Sequence, residues 1–169
     1  MHFDVYYCAM QFTSVYTSPI GKLLIIADEQ FVKKVEFLAE DVPVIENENG
    51  ISIQCRKELA DYFKGKIKSF TVRTNPDGTI FQKSVWAELS KISFGTSVSY
   101  LQIAKRLGDE KAIRAAANAN GKNPVAILIP CHRVIGSNGS LTGYAGGLWR
   151  KKFLLELEGV LKKTQLELF

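Results

Sequence analysis

Histidine is almost missing from this chain of 169 residues, with only His2 and His132 present. Cysteine is nearly as scarce: Cys8, Cys55 and Cys131 stand at unrelated spacings. An odd set of isolated cysteines argues against a disulfide framework and for a reducing compartment. Two histidines without a cysteine pair argue against a zinc site, so no metal is expected. Long apolar runs are also lacking. No stretch approaches the ~18 apolar residues of a membrane span, and the opening MHFDVYYCAMQF has no basic start followed by a sustained apolar run. The expectation is an intracellular protein, cytoplasmic or nuclear if eukaryotic, without a membrane partner. No repeat or low-complexity tract is visible.

What is present is 46% hydrophobic residues, enough for one substantial core or two small domains. The net charge of +5 is unevenly spread. Residues 1–78 carry 9 Lys/Arg against 11 Asp/Glu, whereas residues 79–169 carry 13 against 6. A basic C-terminal part suits a polyanion, and nucleic acid is the commonest one; a solvated lysine-rich surface is the plainer alternative.

The first part reads as a small sheet with a helix. VYYCAMQF, KLLIIAD and VKKVEFL are β-like runs separated by Ser18-Pro19 and Gly21, and ISIQCRKELADYFKG has a helical pattern. TNPDGT, residues 74 to 79, is strong turn punctuation and predicts a boundary between units 1–78 and 79–169. Beyond it the pattern is mostly helical. Phe81, Val85, Trp86 and Leu89 share one face of FQKSVWAELSKI, which Gly95 is expected to end. Ser99 is a candidate N-cap for YLQIAKRLG, Gly108 closes that helix, and KAIRAAANANG follows after a short turn. Two helices so joined resemble a helix-turn-helix. In the second, Ala112, Ala115, Ala116, Ala117 and Ala119 leave Arg114 room to project toward a closely approaching partner, though alanine also simply favours helix.

NPVAILIPCHRVIG, residues 123 to 136, carries the chemistry. An apolar run ends on Pro130 and then presents Cys131, His132 and Arg133 in a row. An isolated cysteine after such a run is usually a buried hydrophobe, whereas a reactive thiol wants positive charge or an imidazole nearby. Neighbouring side chains diverge, so Cys131 and His132 need a tight turn or a bridging water to cooperate. A third group should orient the imidazole. Glu158 is the candidate: in WRKKFLLELEG it falls around the helix between Leu154 and Leu155, at the C-terminal end where a carboxylate is disfavoured without a partner.

FQKSVW at 81–86, TSVSY at 96–100, NPVAILIPCHRVIG at 123–136 and TGYAGG at 142–147, followed by a basic helix ending in LEG, together resemble the O6-alkylguanine-DNA alkyltransferases. The order and spacing match over roughly the last 90 residues. The resemblance implies an α+β fold, with a small N-terminal antiparallel sheet domain of ribonuclease-H-like topology before a helical domain. It implies that Cys131 accepts the alkyl group, His132 works through a water and is paired with Glu158, and Asn123 braces the turns of the site. Tyr100 would rotate the target nucleotide and hydrogen-bond the base at N3. Arg114 would enter the stack through the minor groove, with Lys111 and Ala115 beside it on DNA. The carbonyls of Cys131 and Val134 would receive the guanine amino group, while Tyr144, Ala145 and Gly146 would form the pocket wall. Some family members have serine at the position of Ala145, so here only the backbone N–H is available to O6. The implied partner is duplex DNA containing O6-alkylguanine, with O4 of thymine as a further candidate substrate, and the implied state is a monomer. A thioether product needs no cofactor and is not hydrolysed, so each molecule acts once. Damage binding without transfer, cysteine hydrolysis and a plain helix-turn-helix regulator are the competing readings.

Overall fold

The computed structural model describes residues 10–39 and 41–162. His2 and Cys8 lie outside the described residues. Three strands, β1 (Phe12–Ser18), β2 (Gly21–Ala27) and β3 (Val32–Phe37), form an antiparallel meander in the order β1-β2-β3. Strand β2 alternates strictly, so Leu23, Ile25 and Ala27 are buried on one face. Helix α1 (Gly50–Phe63) begins at an Asn49–Ser52 capping box and buries Ser52, Cys55, Leu59 and Tyr62 along a single stripe against that sheet. Most of the expected run VYYCAMQF, residues 5–9, lies outside the described residues; β1 itself is FTSVYTS, where Ser14 and Ser18 face inward. The polar residues hid its alternation. Ser14 is satisfied by donating to Glu48 Oε1 at 2.5 Å.

The outer edge of β3 is covered by the rest of the chain. Val32 N–H donates to Arg73 O, and Val35 N–H donates to Pro124 O while Val35 O accepts from Ala126 N–H, each at 2.9 Å. Backbone pairing thus stitches the first half to the segment that carries the cysteine, and an exposed sheet edge is avoided.

The second half contains α2 (Ile80–Ser90), α3 (Tyr100–Arg106), α4 (Ile113–Gly121) and α5 (Leu148–Leu157), with two short parallel strands, β4 (Val98–Ser99) and β5 (Val134–Ile135). Thr79 with Gln82, and Ser99 with Gln102, form reciprocal capping boxes that fix the starts of α2 and α3. Gly108 adopts φ +86 just after α3, the left-handed conformation that lets α4 fold back against it. Helix α2 buries Val85, Trp86 and Leu89, but Phe81 is 39% exposed, contrary to its assignment to the core face. It sits on the first helical turn and opens onto a groove beside α4. Gly95 does not end α2 either. The helix closes at Ser90, because Lys91 and Ile92 turn back onto the Glu88 and Leu89 carbonyls and Ile92 enters the core. The alanine-rich helix is not uniformly a surface. Ala116 and Ala119 are core residues, Ala119 O accepts the Trp86 indole N–H at 2.9 Å, and of the five alanines only Ala115 is exposed. No helix among the described residues is long and apolar enough to cross a membrane.

Candidate active site

The run VAILI is a compact loop, not a strand. Leu128 N–H returns to Ala126 O and Ile129 N–H to Val125 O, while Ile127 takes φ +72 with its side chain fully buried. A β-branched residue with positive φ costs free energy, which burial of Val125, Ile127 and Ile129 offsets. Asn123 braces this loop from its first residue. Its amide donates to Val125 O at 3.3 Å and Ile129 O at 2.8 Å, and its carbonyl accepts from Val125 N–H at 3.0 Å. The same amide reaches Cys131 Sγ at 3.1 Å.

Cys131, His132 and Arg133 make one 3-10 turn, which supplies the tight geometry that their adjacency demands. Cys131 is only 6% exposed. It nonetheless lines a cavity of about 190 Å³, walled by Asn123 and Pro124, by Gly143, Tyr144, Ala145 and Gly146, and by Val35 to Phe37 of β3. Burial raises the thiol pKa above its ordinary value, opposed by the Asn123 hydrogen bond, the Lys151 charge and the backbone N–H groups of Cys131 and His132. Burial wins. The resting group is therefore a thiol whose proton must be removed during any reaction.

Behind the thiol lies a closed polar network. His132 is fully buried and donates Nε2–H to Glu158 Oε1 at 2.9 Å, which leaves its Nδ1 buried with no hydrogen-bond partner among the described residues. Burial lowers the imidazole pKa; Glu158 opposes this, and the charges of Arg133 and Lys151 add to it. The ring is neutral at neutral pH and offers Nδ1 as an acceptor. Arg133 grips Glu158 with two donors, Nε to Oε2 at 2.8 Å and Nη2 to Oε1 at 2.9 Å. Arg133 therefore serves the carboxylate and not the thiolate, a correction to reading the Cys-His-Arg run as positive charge for sulfur. Burial by itself pushes the Glu158 carboxyl pKa up, but hydrogen bonds from His132, Arg133 and Tyr62 outweigh it and bring the value down to about 2.

The cation that does bear on sulfur is Lys151. It is fully buried on α5, its Nζ donates to Val134 O and Thr142 O at 2.6 Å each, and burial lowers its pKa to about 8. Tyr100, at the start of α3, is half-buried and donates its hydroxyl to Thr142 O at 3.2 Å. Burial raises its pKa, with the Thr142 contact opposing and Cys131 adding. Tyr144 lies edge-on to Phe37, ring centroids 6.4 Å apart, and its buried hydroxyl has no protein partner among the described residues. Burial lifts its pKa well above the usual phenol value. Gly146 must be glycine, since a Cβ there would meet the rings of Phe37 and Tyr144 at 2.8 Å.

The expected residues fall into two groups. Cys131, Asn123, Tyr144, Ala145 and Gly146 line one cavity; His132 and Glu158 are paired behind it, and Tyr100 reaches the same loop through Thr142. Val134 does not line that cavity: its side chain is in the core, on β5, and its carbonyl is held by Lys151. Lys111, Arg114 and Ala115 are exposed, and Arg114 and Ala115 line a separate open groove with Phe81 and Asn118. Sequence reasoning missed Lys151, Tyr62, Arg150 and the β3 wall. Lys151 was within reach, because 151, 154, 155 and 158 form one helical stripe. Arg150 was not: its Nε donates to Ile20 O at 2.7 Å, its Nη1 to Gly146 O at 2.8 Å, and its guanidinium lies 4.4 Å from the Phe37 ring centroid.

Comparison with known proteins identifies related chains. Residues 12–76 fit the model of the 6-O-methylguanine DNA methyltransferase ribonuclease-like domain, and residues 80–160 fit that of the DNA binding domain of the same family. The methylated-DNA–protein-cysteine methyltransferase of Methanosarcina acetivorans is 48% identical over 152 residues, covering 86% of this chain and 97% of that protein. The crystal structure of Mycobacterium tuberculosis O6-methylguanine methyltransferase superposes with a TM-score of 0.80 at 38% identity, covering 93% of this chain and 98% of that one. Mycobacterium tuberculosis OGT in complex with DNA gives 0.78 at 40% identity, covering 86% and 91%.

Proposed function

Because the chain belongs to the 6-O-methylguanine DNA methyltransferase family, we propose that it repairs duplex DNA by taking an alkyl group from O6 of guanine onto its own Cys131. Its reaction class is that of its relatives, transfer of methyl from methylated DNA to a protein cysteine. The observation that carries the assignment is a thiol at the wall of a cavity, held by Asn123, with the buried His132–Glu158 pair directly behind it. In this reading residues 1–78 and 79–169 act as two units, the second meeting DNA.

The thiol proton leaves through one water to His132 Nδ1, and Glu158 stabilises the imidazolium. Sulfur attacks the O6-bound carbon. An S–C bond forms as the C–O6 bond breaks, and its electron pair stays with the purine. The purine gains a proton at N3 from Tyr100, and the phenolate so formed takes back a proton through solvent as the His132 imidazolium releases the one it received from the thiol. An ordinary thiol is about 3% ionised at pH 7, so full ionisation of such a group is worth roughly 2 kcal/mol; burial leaves Cys131 less ionised than that, so His132 must take its proton during the reaction. Alignment of sulfur with the alkyl carbon, and donation to the departing purine, must supply more.

A base inside the stack cannot reach such a cavity, so the nucleotide rotates out of the duplex, and a poorly paired alkylguanine does so at lower cost. Arg114, exposed on α4 with little side chain around Ala115, fills the space it leaves, while Lys111 meets phosphate. Binding is then sensitive to salt and weak in sequence preference. Arg150 and Phe37 hold the pocket loop, so the sheet domain shapes the cavity as well. One chain contains every part named, which supports action as a monomer. The product is a thioether that water does not cleave, so the reaction stops at one turnover. Incubation with O6-methylguanine duplex is expected to add about 14 Da to the intact protein, at a limit of one per chain, and nothing to Cys131→Ser. Multiple turnovers, or label on the Cys131→Ser protein, would refute the assignment.

A further inference from the structure

Tyr62 belongs to the sheet domain, yet its hydroxyl donates to Glu158 Oε1 at 2.7 Å across 96 positions of sequence. That one oxygen receives three donors, since His132 Nε2 and Arg133 Nη2 each reach it at 2.9 Å. The Tyr62 ring is fully buried among Phe63, Phe70 and Phe94, with centroid distances of 5.4, 5.4 and 6.1 Å, so the hydroxyl has one available direction. A tyrosine serving only to fill that aromatic cluster gains nothing over phenylalanine, because a buried hydroxyl costs free energy unless it is paired. Here it is paired with the carboxylate that accepts from the imidazole beside Cys131.

We propose that Tyr62 is a positioning residue for the transfer reaction: it fixes the Glu158 carboxylate and, by sharing Oε1, sets how strongly His132 takes the proton of Cys131. The inference rests on Cys131 being the alkyl acceptor. An oxygen that accepts from Tyr62 holds less charge for the imidazole, so loss of the hydroxyl tightens the Glu158–His132 pair and favours the imidazolium. The other groups facing this pair are Arg133 in the same turn, Lys151 from α5 and the Gly95 N–H at 3.5 Å from Oε2, while Tyr144 from the pocket loop faces Tyr62 itself. All of them are kept when Tyr62 is replaced by phenylalanine.

The test is single-turnover methylation of Cys131 by O6-methylguanine duplex, followed by intact mass between pH 5 and 9. Tyr62→Phe is expected to move the acid limb upward by about one pH unit, roughly tenfold slower on that limb, with the plateau within about threefold and DNA affinity retained. In a His132→Gln background the same substitution is expected to leave the rate unchanged, because its effect passes through the imidazole. Tyr62→Leu separates ring from hydroxyl: it lowers the unfolding midpoint further but gives the same limb. An unmoved acid limb, an equal effect in both backgrounds, or a Tyr62→Phe protein that does not fold overturns the role of Tyr62. Label appearing on Cys131→Ser overturns the acceptor assignment instead, so the two failures are distinguishable.

Discussion

Replacing Glu158 by glutamine removes one negative charge and almost no volume. The carboxylate side chain is fully buried and faces Arg133, itself only 7% exposed, through two hydrogen bonds of 2.8 and 2.9 Å. Taking one partner from a buried ion pair strands the other and costs ~3–5 kcal/mol. Protonation gives a figure of the same order from the same contacts: against an ordinary carboxyl value of 4.5, a pKa of about 2 corresponds to roughly 3 kcal/mol of preference for the ionised folded state. The sign follows from the depressed folded pKa: this contribution is complete above pH 4.5 and is lost as pH falls from there through 2. With a urea dependence of about 2 kcal/mol/M, Glu158→Gln should lower the midpoint by roughly 1.5 M at pH 7, and the gap should narrow steadily below pH 4.5. Equilibrium urea unfolding at pH 7 and pH 3 measures both. A loss under ~1 kcal/mol at pH 7, or an equal loss at the two pH values, would refute the claim that a buried charge pair organises this site.

Two further outcomes are expected. Asn123→Ala removes the Sγ contact and three loop hydrogen bonds; alkylation of Cys131 should slow by at least about tenfold while DNA affinity holds, which rapid-quench kinetics beside a binding titration would show. Lys151→Met withdraws the charge that favours the thiolate and leaves Val134 O and Thr142 O without their buried donor. The thiol pKa should rise, read from the pH dependence of iodoacetamide labelling. Because burial lowers the folded Lys151 pKa to about 8 against 10.5, its contribution to stability increases as pH rises from 8 toward 10.5, and the substitution should abolish that increase.

The helices were legible where a cap and a stripe coincide. Ser99 and Gly108 bound α3 as expected, and α1 follows its apolar pattern, because both signals act within a few residues. Glu158 was legible for a similar reason: its position between Leu154 and Leu155 is a matter of helical angle alone. Strand β1 was not, since its inward serines are buried only because Glu48 and Gly21 receive their hydroxyls. Nor was the end of α2, where Ile92 turns into a core contributed by other elements.

The sequence by itself determined the helical stretches, the Ser99 cap, the basic second half and the linear Cys-His-Arg order, all properties of neighbours along the chain. Tertiary structure alone decided which charge each group feels. Arg133 points at Glu158 and not at sulfur, Lys151 is drawn inside to the loop carbonyls, and Tyr62 arrives from the sheet domain. Electrostatic influence depends on distance and burial, and both are set by how separate elements pack.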